Sequence, residues 1–137
     1  ITRGVNKCHI IRATLDSIAY QVNDVLAAME MDAKLVIPSL KVDGGASANN
    51  FLMQTQADIV NIPVIRQRCV ETTAMGAAYL AGLAVGYWAD IEAVRKNWTN
   101  DYVFQPTIES ADRENRIKGW KKAVRYAYGW AKENENE

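Results

Sequence analysis

The sequence predicts an α/β fold, a parallel sheet flanked by helices, with fewer strands than such a sheet normally has. Three observations carry that expectation. Apolar residues recur at three- and four-residue steps from about His9 to Met29; short apolar runs occur in "SLKVDGG" and "NIPVIRQ"; and a helical pattern follows each run. Helix, strand, helix, strand, helix is the order produced when a chain winds helices against a parallel sheet. Two strands fall short of the roughly four to six that sheets commonly contain, so further strands are expected upstream. The chain opens on Ile1 without a methionine, which fits the same expectation that it is a piece of a longer polypeptide.

In the first helix Ile11, Leu15, Ile18, Val22, Val25 (or Leu26) and Met29 gather on one side, while Asp16, Gln21, Asn23 and Asp24 fall mostly on the other. A broad buried face is expected, with Asn6 as its N-cap. Pro38 excludes helix from the next segment, so "SLKVDGG" reads as a short strand ending at Asp43. Ser47 is the expected cap of a second helix reaching about Val60, with Phe51, Leu52, Thr55 and Ile59 inward. In "NIPVIRQ", Pro63 sits where a strand tolerates it, at the start. Glu71, Thr72 and Thr73 open a third helix through "AMGAAYLAGLAVG". A glycine inside a helix costs about 1 kcal/mol relative to alanine, so Gly76 and Gly82 predict close approach to another element. "ADIEAVRKNW" is a short fourth helix, and "TNDYVFQPTI" an irregular or extended connector. The last helix is expected from Glu109 to about Lys132, carrying Ile117, Trp120, Val124, Tyr128 and Trp130, before a tail, "KENENE", that should fray.

The 137 residues are 49% hydrophobic and 23% charged, which suits one ordinary globular domain. That length can bury a core without disulfides or metals. Sixteen basic and sixteen acidic residues balance to zero, and the cations look dispersed along the chain. Neither nucleic acid nor an anionic membrane is therefore an expected partner. No run approaches the ~18 apolar residues of a membrane span, and no charged-then-apolar leader opens the chain, so a cytoplasmic place is expected. Cys8 and Cys69 fit no metal-ligand spacing and read as reduced packing thiols. His9, the sole histidine, is expected to pack or hydrogen-bond at the start of its helix.

The chemistry concentrates in "VDGGASANN". Ligands of open α/β sheets bind where strands end and loops lead into helices. Gly44 and Gly45 allow positive φ and close approach of another molecule to bare backbone. The following helix start offers free N–H groups, and Asn49 and Asn50 offer directional amides. No Lys or Arg lies in the loop to neutralise phosphate charge, so the combination suits a nucleotide better than a bare phosphate. The stretch is neither the six-position glycine fingerprint of dinucleotide folds nor a P-loop. On the residues alone two readings stand, a nucleotide loop and a tight turn whose glycines only satisfy geometry. Asp43, Asp16 and Glu71 read as capping or helix-surface carboxylates rather than as an acid/base pair.

The segment "HIIRATLDSIAYQ" resembles the closing half of the signature of the FGGY carbohydrate kinases, matched here by His9, Ile10, Ala13, Thr14, Leu15 and Asp16. Within that family "LKVDGGASANNFLMQTQADI", "ETTAMGAAYLAGLAVGYW" and "GWKKAV" resemble the carboxyl-terminal part of the members that phosphorylate glycerol. The resemblance implies residues 1–137 as part of the nucleotide-binding domain, a ribonuclease-H-like, actin-like ATPase fold with an incomplete parallel or mixed sheet. It implies ATP and glycerol as substrates, ADP as product and Mg²⁺ as cofactor, with the catalytic aspartate and the metal ligands upstream of this chain. It places Gly45 and Asn49 against the adenosine, with Gly44 and Ala46 shaping the loop, and it implies a homo-oligomer. Some enteric members bind a regulator through the segment equivalent to "PTIESADREN", where a glutamate helps hold a bridging Zn²⁺. This chain has Asp112 there and departs at Ala111 and Glu114, so a solvated helix is expected instead. The reading that competes with a kinase fragment is a free-standing nucleotide-binding or interaction module, and a related sugar kinase of the same family is the nearer alternative.

Overall fold

The computed structural model describes residues 2–69, 71–97 and 99–128. The first helix, α1, runs Lys7–Ala33. Asn6 caps it, its Oδ1 accepting from the N–H groups of Cys8 (2.9 Å) and His9 (3.4 Å). His9 completes a capping box by accepting the Asn6 N–H on Nδ1 at 3.2 Å. Strand β1 (Leu40–Val42) leads through one 3₁₀ turn (Gly45–Ala48) into α2 (Asn50–Val60). Both α1 and α2 end on left-handed residues, Lys34 (φ 53°) and Asn61 (φ 58°). Then follow β2 (Val64–Gln67), α3 (Thr72–Ala84), α4 (Ile91–Arg95), β3 (Asn100–Phe104) and α5 (Ser110–Ala127).

The sheet has the order β1-β2-β3 and is mixed. Strands β1 and β2 are parallel, pairing Leu40 with Val64 and Val42 with Arg66, whereas β2 and β3 are antiparallel, pairing Val64 with Phe104 and Arg66 with Tyr102. The expected connector "TNDYVFQPTI" thus holds a third strand. Its sequence hid it because β3 is a sheet edge: of its five residues only Phe104 is buried, so no alternation of apolar and polar side chains is imposed.

The core is Leu52, Met53 and Ala57 of α2 with Val64 and Phe104, and Leu40, Val42 and Val60 pack around it. Helix α2 touches α1, β2, β3 and α5. Its polar residues are satisfied inside this packing. Gln56 Nε2 donates to the Ala19 carbonyl at 3.4 Å, and Asp58 Oδ1 accepts the Thr107 N–H (2.8 Å), the Thr107 hydroxyl (3.1 Å) and Gln54 Nε2 (3.0 Å). Arg113 Nε donates to the Ile59 carbonyl at 2.7 Å and ties the start of α5 to the end of α2.

Four packing expectations are corrected. The apolar side of α1 is not buried: only Ala19 is, while Ile11 is 58% and Met29 54% exposed. The reason is length, since 27 residues of helix span ~40 Å and the 11 of α2 only ~16 Å. In α2, Phe51 faces out while Leu52, Thr55 and Ile59 are buried as expected. In α3, Gly82 lies against the Trp88 ring, but a Cβ at Gly76 would meet nothing within 4 Å. Helix α5 ends at Ala127, with Val124 and Tyr128 exposed; Trp130 and the tail lie outside the described residues. Trp120 does pack, stacking on Tyr20 with centroids 5.4 Å apart and donating Nε1–H to Asp24 Oδ2 at 2.7 Å. Both cysteines are free thiols, Cys8 exposed and Cys69 half-buried. Among the described residues no helix is long and apolar enough to cross a membrane.

Candidate functional site

The two glycines after β1 do different things. Gly44 has φ 76° and ψ 169°, a conformation that residues with a Cβ avoid. Gly45 shows no positive φ, and a Cβ there would meet no protein atom within 4 Å. The fold requires glycine at 44 and leaves the space over 45 empty. Gly45, Ala46 and Asn49 are exposed and Gly44 is half-buried, so all four candidate residues meet at one open turn.

Ser47 closes that turn rather than capping the helix. It is fully buried, and both its N–H (3.0 Å) and its hydroxyl (2.7 Å) donate to the Gly44 carbonyl. The cap of α2 is Asn49, whose Oδ1 accepts the Leu52 N–H at 3.2 Å. The chain spends residues 45–48 on the 3₁₀ turn, which moves the cap two residues past the expected one. With Oδ1 engaged as the cap, Nδ2 is the donor that the Asn49 amide keeps for other partners.

Sequence reasoning missed the residue that holds the loop. Arg66 of β2 reaches back, its Nη1 donating to the carbonyls of Ser47 (3.0 Å) and Ala48 (3.5 Å) and to Asn50 Oδ1 (2.7 Å). Its Nε pairs with Asp101 Oδ2 of β3 at 2.7 Å, and its guanidinium lies 5.3 Å from the Phe104 ring centre. A planar fork of five donors can serve a loop and a neighbouring strand together. The only trace in the sequence is a cation inside an apolar strand.

Asp43 also turns out to be engaged. The Thr72 hydroxyl donates to its Oδ2, joining the end of β1 to the start of α3. Asp16 pairs with Arg12 at 2.8 Å on the surface of α1, and Glu71 precedes α3 without a side-chain capping bond. Asp112 pairs with Arg116 at 2.8 Å along exposed α5. Among the described residues no three His, Cys, Asp or Glu side chains converge as a metal site would need. Cavities also form among the described residues outside the turn itself. One of about 460 Å³ sits beside Gln67, Thr72, Met75 and Tyr79, and one of about 790 Å³ lies between α1, the end of α2 and α5.

A parallel strand pair, a glycine turn at a strand end and a capped helix define a mixed α/β domain. The C-terminal domain of the FGGY family of carbohydrate kinases matches residues 1–85, and the chain belongs to that family. The chain is 63% identical over 134 residues to the glycerol kinase of Agathobacter rectalis, covering 98% of this chain and 27% of that protein. It is 59% identical over 133 residues to that of Caldanaerobacter subterraneus, covering 97% and 27%. The crystal structure of Plasmodium falciparum glycerol kinase with ADP superposes with a TM-score of 0.83 at 31% identity, over 93% of this chain and 26% of that one. A xylulose kinase from Lactobacillus acidophilus shares the fold, with a TM-score of 0.74 at 22% identity. The fold is thus part of the actin-like ATPase architecture, and the chain spans about a quarter of its relatives' length.

Proposed function

We propose that this chain is the nucleotide-binding carboxyl-terminal part of an ATP-dependent glycerol kinase that works in the cytoplasm as a homo-oligomer. The single observation behind the reading is the 63% identity to a glycerol kinase along 98% of the chain. The loop geometry supplies its physical content. Bare backbone at Gly45, under open space, lets a flat purine lie against the main chain. Asn49 then donates through Nδ2 to an acceptor on the adenosine, held in place because its oxygen already caps α2. Gly44 sets the turn, and Ala46 adds little bulk beside it.

In the whole enzyme the oxygen of the glycerol 3-hydroxyl bonds to the γ-phosphorus as the bond from that phosphorus to the β–γ bridging oxygen breaks. ADP leaves, and the hydroxyl proton passes to a carboxylate base carried outside these 137 residues. Mg²⁺, when bound, would neutralise charge on the phosphates, and on this reading its ligands belong to the polypeptide outside these 137 residues. The 137-residue chain by itself is therefore expected to transfer no phosphoryl group.

The test is a calorimetric titration of ADP into the full-length enzyme. Asn49→Ser keeps a good capping oxygen but lacks the amide donor. Its dissociation constant should rise about 5- to 30-fold, the worth of one hydrogen bond at about 1–2 kcal/mol. Gly45→Val should weaken binding further by filling the open space. Wild-type affinity in both variants would remove the loop from the site. Assaying glycerol against a panel of pentoses separates the glycerol reading from a related sugar kinase.

A further inference from the structure

The balanced composition hides one strongly basic place. The cavity of about 790 Å³ between α1 and α5 is lined by Arg113, Lys118, Lys121, Lys122 and Arg125, and among the described residues Glu30 and Glu114 are the acidic side chains that line it. The cations looked dispersed in the sequence; the fold gathers five of them around one concavity. Lys121, Lys122 and Arg125 lie three, four and seven residues after Lys118 along α5, so they share one helix face. Lys118 and Lys122, like Lys121 and Arg125, stand four residues apart, where like charges oppose helix formation.

These four cations have no ion pair among the described residues, whereas Arg116, on the same helix, pairs with Asp112. Two carboxylates against five cations leave a formal excess of three positive charges around the concavity. Glu30 Oε1 also accepts the Ile37 N–H at 2.8 Å, which fixes that carboxylate beside its own helix. Below the charges the wall is apolar, formed by Leu26, Ile37, Ile62 and Ile117. A low-dielectric floor under a rim of one sign focuses its field into the concavity. The volume lies within the roughly 300–1,000 Å³ of small-molecule sites. Nucleic acid favours an extended basic stripe over a single concavity of this size.

From this arrangement we infer that the cavity between α1 and α5 is a binding site for a small soluble polyanion bearing clustered phosphates, separate from the nucleotide loop. Neither Gly45 nor Asn49 lines it. Its occupancy does not depend on the chain being a kinase.

Inorganic tripolyphosphate is the probe, titrated calorimetrically into the full-length enzyme with saturating ADP so that the nucleotide loop is already filled. One site is expected, with affinity falling steeply as salt rises from about 0.02 to 0.2 M, because the rim is solvent-screened. Replacing Lys121→Gln together with Lys122→Gln should weaken binding at least tenfold. The pair Lys121→Arg and Lys122→Arg should retain it within about threefold, and Asn49→Ser should leave it unchanged. Loss of ADP binding in Asn49→Ser with intact tripolyphosphate binding would separate this inference from the nucleotide reading. No heat with ADP present, or equal affinity in the glutamine pair, overturns it. So does a glutamine pair that loses single-stranded RNA or phosphatidylserine vesicles while keeping tripolyphosphate.

Discussion

Two helices of similar length make opposite use of their side chains. Helix α2 has 11 residues and buries seven of them, including Thr55, Gln56 and Asp58. Helix α3 has 13, none of them charged, yet only Gly82 is buried and Leu80 is 72% exposed. Composition would have ranked them the other way. Burial follows neighbours: α2 is packed by α1, two strands and α5, whereas the ring of Trp88 is what lies against Gly82 and, at 5.1 Å, Tyr79. Polar groups survive burial in α2 because each of Gln56 and Asp58 finds a partner, and a satisfied polar group costs little.

The most direct way to break that contrast is to shorten one leucine in each helix. Leu52→Ala in α2 is expected to destabilise the chain by about 2–5 kcal/mol, the range for emptying a packed site. Leu80→Ala in α3 should stay within about 0.5 kcal/mol, as exposed substitutions do. Urea midpoints of the two variants decide it. Equal losses would mean that α3 packs in solution against something the fold described here does not supply.

A second contrast lies within the site itself. The turn at Gly44–Ala48 has its own bonds, from Ser47 to the Gly44 carbonyl, and a brace from outside, Arg66. Arg66→Ala removes the brace and leaves Asp101 unpaired, which should cost about 1.5–3 kcal/mol for hydrogen bonds to a charged group. Arg66→Lys should recover only part, because one ammonium cannot span Asn50 and Asp101 as the fork does. Amide hydrogen exchange at Asn49 reports the loop directly. Faster exchange there, with the rest of α2 unchanged, is the expected signature; protection equal to wild type would make Arg66 a sheet residue only.

What could be read beforehand follows from the range of each interaction. The starts of α1 and β1 were legible because capping and proline act within a few residues of sequence. The glycine turn was legible for the same reason, although the cap of the helix after it was expected at Ser47 rather than Asn49, because no short pattern announces the intervening 3₁₀ turn. Arg66 was invisible because its partners lie 16 to 35 residues away. Strand β3 escaped because an edge imposes no alternation, and the basic cavity escaped because a chain-wide balance of charge says nothing about where the fold puts the cations.

The smallest expected effect concerns the seam between α1 and α5. Burial beneath Trp120 pushes the Tyr20 phenol above its ordinary range, and the nearby Asp16 charge adds to it, while Arg116 and Arg12 pull the other way. A phenol raised in the fold holds its proton more tightly folded than unfolded. Its contribution is therefore complete below about pH 10, the ordinary tyrosine value, and is lost as pH climbs through the folded one. Nothing should change at neutral pH. Asp16→Asn should move the Tyr20 titration down, though not fully back, since burial is the larger cause. The difference in alkaline absorbance between the chain and its Tyr20→Phe variant isolates that one phenol. A titration that Asp16→Asn leaves in place would show that stacking, rather than the charge of α1, sets the environment at this seam.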